Sequence, residues 1–187
     1  MESTSALPPT RRIVTGHNDQ GRAIIESDTV LYPIPPQPTT VIDAEEESHL
    51  SKFDQASNGG FIMLWRTNEF PAAVQGPWTE YHGKPIPLAD DIGATVRIVD
   101  MPPGLRSPMH RTKSLDFGVV LSGEVILVLD DGVESIVKQG ETVVQRGTIH
   151  AWENRTTEIT RVLFVLLPSK EVIINGRALG KTNFGVN

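Results

Sequence analysis

The chain has 187 residues, 17 basic against 23 acidic side chains, a formal net charge of −6 and no cysteine. That balance, with no Lys/Arg cluster, argues against a nucleic-acid surface, and the missing cysteines exclude disulfides, thiolate metal sites and a cysteine nucleophile. The length suits one domain with a sizeable core, and 16 glycines with 14 prolines favour a turn-rich all-β chain.

Residues 1–11 are small and polar, the composition of a frayed terminus. No signal-peptide core is visible and no run of about 18 apolar residues could cross a bilayer, so a soluble, cytoplasmic protein without a membrane partner is expected. Residues 12–60 read as an N-terminal arm and strap. Ile13-Val14-Thr15 and Ala23-Ile24-Ile25 are strand-like and flank a hairpin loop that takes His17. Residues 32–38 carry four prolines and suit an extended strap. Residues 41–50 form an acidic run with His49, best read as a solvated loop or short helix.

Residues 61–168 hold the remaining strands. Phe61-Ile62-Met63-Leu64-Trp65-Arg66-Thr67 is apolar enough for a buried strand, with Trp65 in the core or a pocket wall. Residues 68–93, with Trp78, Tyr81 and His82, form a long excursion of the kind that selects substrate, packs on the body or meets a partner. Strand-like segments then follow at 95–100, 117–121, 124–129, 133–137, 142–145, 149–153 and 159–167. Gly123 breaks the second, Asp130-Asp131-Gly132 makes a hairpin turn, and Pro168 ends the last. Residues 169–187 are a tail with an edge strand at Val172-Ile173-Ile174, and no internal repeat appears.

Two polar runs stand out. Along an unbroken strand His110, Thr112, Ser114 and Asp116 share one face, while Arg111 is out of phase. His150 and Trp152 share parity in the same way, and Arg146 stands just before them, able to meet a substrate carboxylate or phenolate. Spacing is also specific: Gly104, five residues, His110, one residue, Thr112, three residues, Asp116, six residues, Gly123. The second run reads Gly140, four residues, Gln145-Arg146-Gly147, two residues, His150, three residues, Asn154.

These runs resemble the paired motifs of the cupin superfamily. Thr112 stands where the first motif has its second histidine, Asp116 replaces a glutamate, Gln145 replaces a proline, and one residue is missing before it. The resemblance implies an all-β, single cupin barrel, a double-stranded β-helix or jelly roll, with an N-terminal strand arm. It also implies a homodimer, and assigns Asn154 to capping its loop. Position by position, His110, Asp116 and His150 take three of the four metal-ligand places of metal-binding cupins. The cofactor stays open: one divalent metal (iron, manganese, nickel or zinc) on those three residues and a metal-free site both suit this donor set.

The same three residues are the expected catalytic set, with Thr112, Ser114, Phe117, Trp152, Trp65 and Arg146 lining a small-molecule pocket. Small single-domain cupins of this kind often accompany polyketide or other natural-product pathways in fungi. The resemblance therefore implies a tailoring enzyme on a polyketide-like or aromatic acid substrate, working by acid/base lyase or isomerase chemistry. Metal-dependent oxidation of that substrate class and ligand binding without turnover are the rivals. No phosphate loop, serine elbow or His-Glu-x-x-His helix supports another class.

Overall fold

A computed structural model describes residues 6–35, 59–85 and 87–180. The acidic run with His49 and residues 36–38 of the proline strap lie outside the described residues. Within them the chain forms twelve strands and one short 3-10 turn, so the all-β expectation holds.

Two sheets face each other. One is five-stranded, in the order β3 (Gly60–Arg66), β4 (Thr95–Met101), β10 (Thr160–Pro168), β5 (Ser114–Ser122), β8 (Thr142–Arg146). The other is three-stranded, β7 (Glu134–Lys138), β6 (Glu124–Val128), β9 (Ala151–Glu153). All pairings in both are antiparallel. The chain changes sheets at Gly123, whose φ of 76° suits glycine and whose missing Cβ leaves room for Thr160 Oγ1, 2.9 Å from where it would stand. Thr160 Oγ1 donates to the Glu124 carbonyl across the same corner.

The core lies between the sheets. Val99, Met101, Val120, Val162, Phe164 and Leu166 from the larger sheet meet Val125, Leu127, Val137 and Trp152 from the smaller. The larger sheet is buried on its outer face as well. A hairpin of β1 (Thr10–His17) and β2 (Ala23–Leu31) brings Leu31 onto Ile62 and Ile98, with Leu64 and Leu163 beside them. Under this cover Asp100 and Arg161, opposite each other on β4 and β10, form a buried fork. A last hairpin pairs β11 (Val172–Ile174) with β12 (Arg177–Leu179).

The excursion at 68–93 packs back on the body. Trp78 lies 5.5 Å from Trp65 between ring centres, and Arg12 covers Trp78 at 5.1 Å while pairing with Glu80. His82 Nδ1 accepts from the Met63 amide, Ala89 joins the core, and Asp90 pairs with Arg66 and accepts from Thr95 Oγ1. The base is tied by Thr67 N–H to the Ala94 carbonyl and Ala94 N–H to Thr67 Oγ1. Gly93 fits there because a Cβ would sit 1.9 Å from the Thr67 carbonyl oxygen. Gly93→Ala is thus expected to cost about 1–3 kcal/mol, read as a lower thermal midpoint with faster proteolysis inside 68–93. An unchanged midpoint would show that the closure contributes nothing.

Candidate active site

The segment from Gly104 runs antiparallel to residues 150–154. Gly104 N–H bonds Asn154 O, Asn154 N–H bonds Leu105 O, Ser107 N–H bonds Trp152 O, and Ser107 Oγ accepts from Trp152 N–H. Asn154 fastens the far end as the motif implies. Its Nδ2 donates to Met101 O at 2.7 Å and Glu158 O at 2.8 Å, and its Oδ1 accepts from Thr156 N–H.

This pairing brings the two histidines together. His110 and His150 exchange both backbone hydrogen bonds, each 2.9 Å. Directly opposed residues of an antiparallel pair point the same way, and the imidazoles stand 4.3 Å apart between centres, tilted by 56°. In each ring Nδ1 lies 2.9 Å from a carbonyl two residues earlier, Pro108 O for His110 and Thr148 O for His150. A carbonyl only accepts, so Nδ1 carries the hydrogen and Nε2 the lone pair. Burial pushes the His110 pKa down to about 3, helped by the neighbouring His150 and by Arg97, against the Pro108 bond. Burial also lowers His150, against the Thr148 bond. Both imidazoles are therefore neutral at pH 7.

Asp116 and Thr112 form the second part. Both are buried, and Thr112 Oγ1 donates to Asp116 Oδ2 at 3.1 Å. Asp116 Oδ1 has no hydrogen-bond partner. Burial raises this carboxyl, opposed by the Ser114 and Thr112 hydroxyls and by Arg97; Ser114 is near enough to favour the anion without a hydrogen bond of ordinary geometry. Trp152 lies edge-on to His150 at 6.3 Å and to Phe164 at 5.4 Å. Gly118 leaves space for those two rings, since a Cβ there would meet Phe164 at 3.0 Å and Trp152 at 3.5 Å.

Three expected pocket residues point elsewhere. Phe117 follows Asp116 in β5, and strand alternation turns it to the other face. Trp65 is displaced by a bulge between Met63 and Trp65. Met63 is paired with Arg97 but Trp65 with Val96, so Trp65 lies on the outer face against Trp78. Arg146 is the exposed last residue of β8; its neighbour Gln145 faces Asp116 in the register and takes the inward place.

Two inward residues were not singled out from the sequence. Gln145 is buried, with Nε2 lacking a partner, and its one mark in the sequence is that it departs from the motif proline. Arg97 shares its face of β4 with Val99 and Met101 and is buried; burial pushes its pKa down to about 10, with Asp116 opposing. Parity with those apolar residues was the available signal.

Metal binding can be tested on the donors. Among the described residues no group of three or more His, Asp or Glu side chains has metal-holding geometry. The histidine pair supplies two imidazoles, Thr112 replaces the next ligand and turns its hydroxyl to Asp116, and Asp116 is not gathered with the pair. The described residues do not fit a three-ligand centre.

The cupin domain model Cupin_2 matches residues 97–166, the strands that carry these groups. Phomopsin biosynthesis cluster protein C' of Diaporthe leptostromiformis is 36% identical over 93% of this chain and 86% of its own. The cupin-domain-containing oxidoreductase fogC of Aspergillus ruber is 34% identical over 90% of this chain and 77% of its own. Among solved structures, a putative ethanolamine utilization protein Q from Salmonella typhimurium aligns over 88% of this chain and 100% of its own, with a TM-score of 0.45 and 13% identity. The two fungal relatives, similar along most of both chains, with the domain match across the site itself, make this chain a member of the cupin superfamily.

Proposed function

We propose that this cupin is a tailoring enzyme of secondary metabolism that moves a proton on a polyketide-like or aromatic acid substrate, by dehydration, decarboxylation or proton shift. The observation that carries the reading is the buried pair of neutral imidazoles, each with its tautomer fixed by a backbone carbonyl. An Nε2 lone pair held in the barrel is available at neutral pH without prior deprotonation, and an anionic substrate beside it would favour the imidazolium that forms and so raise its basicity. In a dehydration, one Nε2 takes a proton from carbon next to a carbonyl, the carbon–oxygen bond breaks, and the proton leaves with the oxygen as water. The second imidazole, 4.3 Å away between ring centres, lies within reach of the same substrate atoms. Trp152 supplies a flat apolar wall beside it. The relatives' place in biosynthesis clusters supports a role in secondary metabolism.

The test is a His110→Gln, His150→Gln double variant in the producing organism, with product followed by mass spectrometry. Product formation should fall at least about 100-fold. Unchanged output would favour ligand binding without turnover. A second reading, oxidation of the same substrate class, draws on the relatives named oxidoreductases. Dioxygen uptake coupled to product, or stoichiometric metal whose chelation removes activity, would select it.

A further inference from the structure

We propose that Arg97 binds an anionic group of the substrate, a carboxylate or a phenolate, inside the barrel. The inference rests on the barrel interior being the substrate site, as proposed above, and adds the charge class of what enters it.

The register sets Arg97 opposite Phe164, and Phe164 opposite Gly118, so the guanidinium lies in the row that holds the Trp152 and Phe164 rings. The next row is Thr95, Leu166, Asp116 and Gln145. An anion on Arg97 would thus sit one row from the buried polar residues Asp116 and Gln145.

Arg97 is 6% exposed, and its Nε is buried without a hydrogen-bond partner. Among the described residues its guanidinium makes no hydrogen bond and no ion pair, and its contact is the Phe61 ring, 5.3 Å from Cζ. A buried charge of this kind is costly unless paired, and one aromatic face offsets only part of that cost. Asp116 is the natural counter-ion, yet it is not in ion-pair contact and one of its oxygens is held by Thr112. Gln145 Nε2 is a second inward donor without an acceptor. Two donors lacking acceptors in one barrel match a planar anion, which a guanidinium grips with two parallel bonds.

Calorimetric titration of the full chain with benzoate, and with its uncharged isostere benzamide, tests this without turnover. The native chain should bind benzoate at least ~10-fold more tightly than benzamide. Arg97→Met should bring that ratio to about one while holding or raising the thermal midpoint, because it removes an unpaired buried charge. Should Arg97→Met not fold, Arg97→Lys serves: it keeps the charge but loses the fork, so benzoate affinity should drop several-fold and benzamide affinity should not. A native chain without preference for benzoate, or either variant retaining the native ratio, overturns the proposal. The histidine variants bear on turnover alone, so the two readings fail separately: His110→Gln with His150→Gln can abolish product while the benzoate preference persists.

Discussion

Asp100→Ala is expected to lower the unfolding free energy by about 3–5 kcal/mol, measured by urea denaturation. Asp100 and Arg161 face each other across β4 and β10 on the outer face of the larger sheet, with Nε to Oδ1 at 2.6 Å and Nη2 to Oδ2 at 2.7 Å. The remaining Nη1 donates to the Pro8 carbonyl at 2.8 Å, so the N-terminal segment closes over the pair. Only 1% of Asp100 and 8% of Arg161 is exposed, so water cannot replace either partner. Removing the carboxylate strands the guanidinium, and the loss is that of an unpaired buried charge rather than of one hydrogen bond. Arg161→Met should be similarly harmful alone, whereas Asp100→Leu with Arg161→Met together should restore most of the stability, because packed apolar groups need no counter-charge. Additive losses in that cycle, or a single-variant loss below about 1 kcal/mol, would show that the pair is already hydrated.

The same two-sided burial explains what the sequence conceals. The paired histidines, the sheet change at Gly123, the turn at Asp130-Asp131-Gly132 and the Asn154 cap are legible because each depends on local spacing or turn chemistry. Arg97 is hidden because β4 is covered on both faces: Val96 and Ile98 are apolar toward the hairpin, Val99 and Met101 toward the core, and no polar face marks the solvent side. An arginine in such a strand reads as outward when nothing else fixes its phase. Trp65 fails for another reason, since one extra residue at Leu64 reverses the face of all that follows, and composition does not encode a bulge. Phe117 was within reach of parity: if Asp116 faces in, its neighbour faces out. Gln145 shows the limit of motif reading, where a departure from a pattern can itself mark an inward polar group.

Mild acid should destabilise the fold, and His110 should account for much of the slope. In the folded chain its pKa is about 3 against an ordinary 6.5, so between those values the unfolded chain binds a proton that the folded chain refuses. Its contribution is complete above pH 6.5 and is lost as pH falls toward 3, at about 1.4 kcal/mol per pH unit. His150 is lowered by burial too and acts with the same sign. Asp116 opposes them: its raised carboxyl favours the folded chain as pH falls through the interval just above 3.8. Glu80, held to about 2 by Arg12, loses its contribution only below its ordinary 4.5. Urea midpoints taken from pH 6.5 down to 4.5 therefore report mainly on the imidazoles, less the part returned by Asp116. His110→Gln should flatten that profile by close to one proton, while parallel profiles for the native and variant chains would mean that His110 already titrates normally in the fold. The sign follows from the burial of the pair: an imidazole kept neutral by burial, by its twin and by Arg97 resists protonation, and the fold bears the cost when acid solvent supplies the proton.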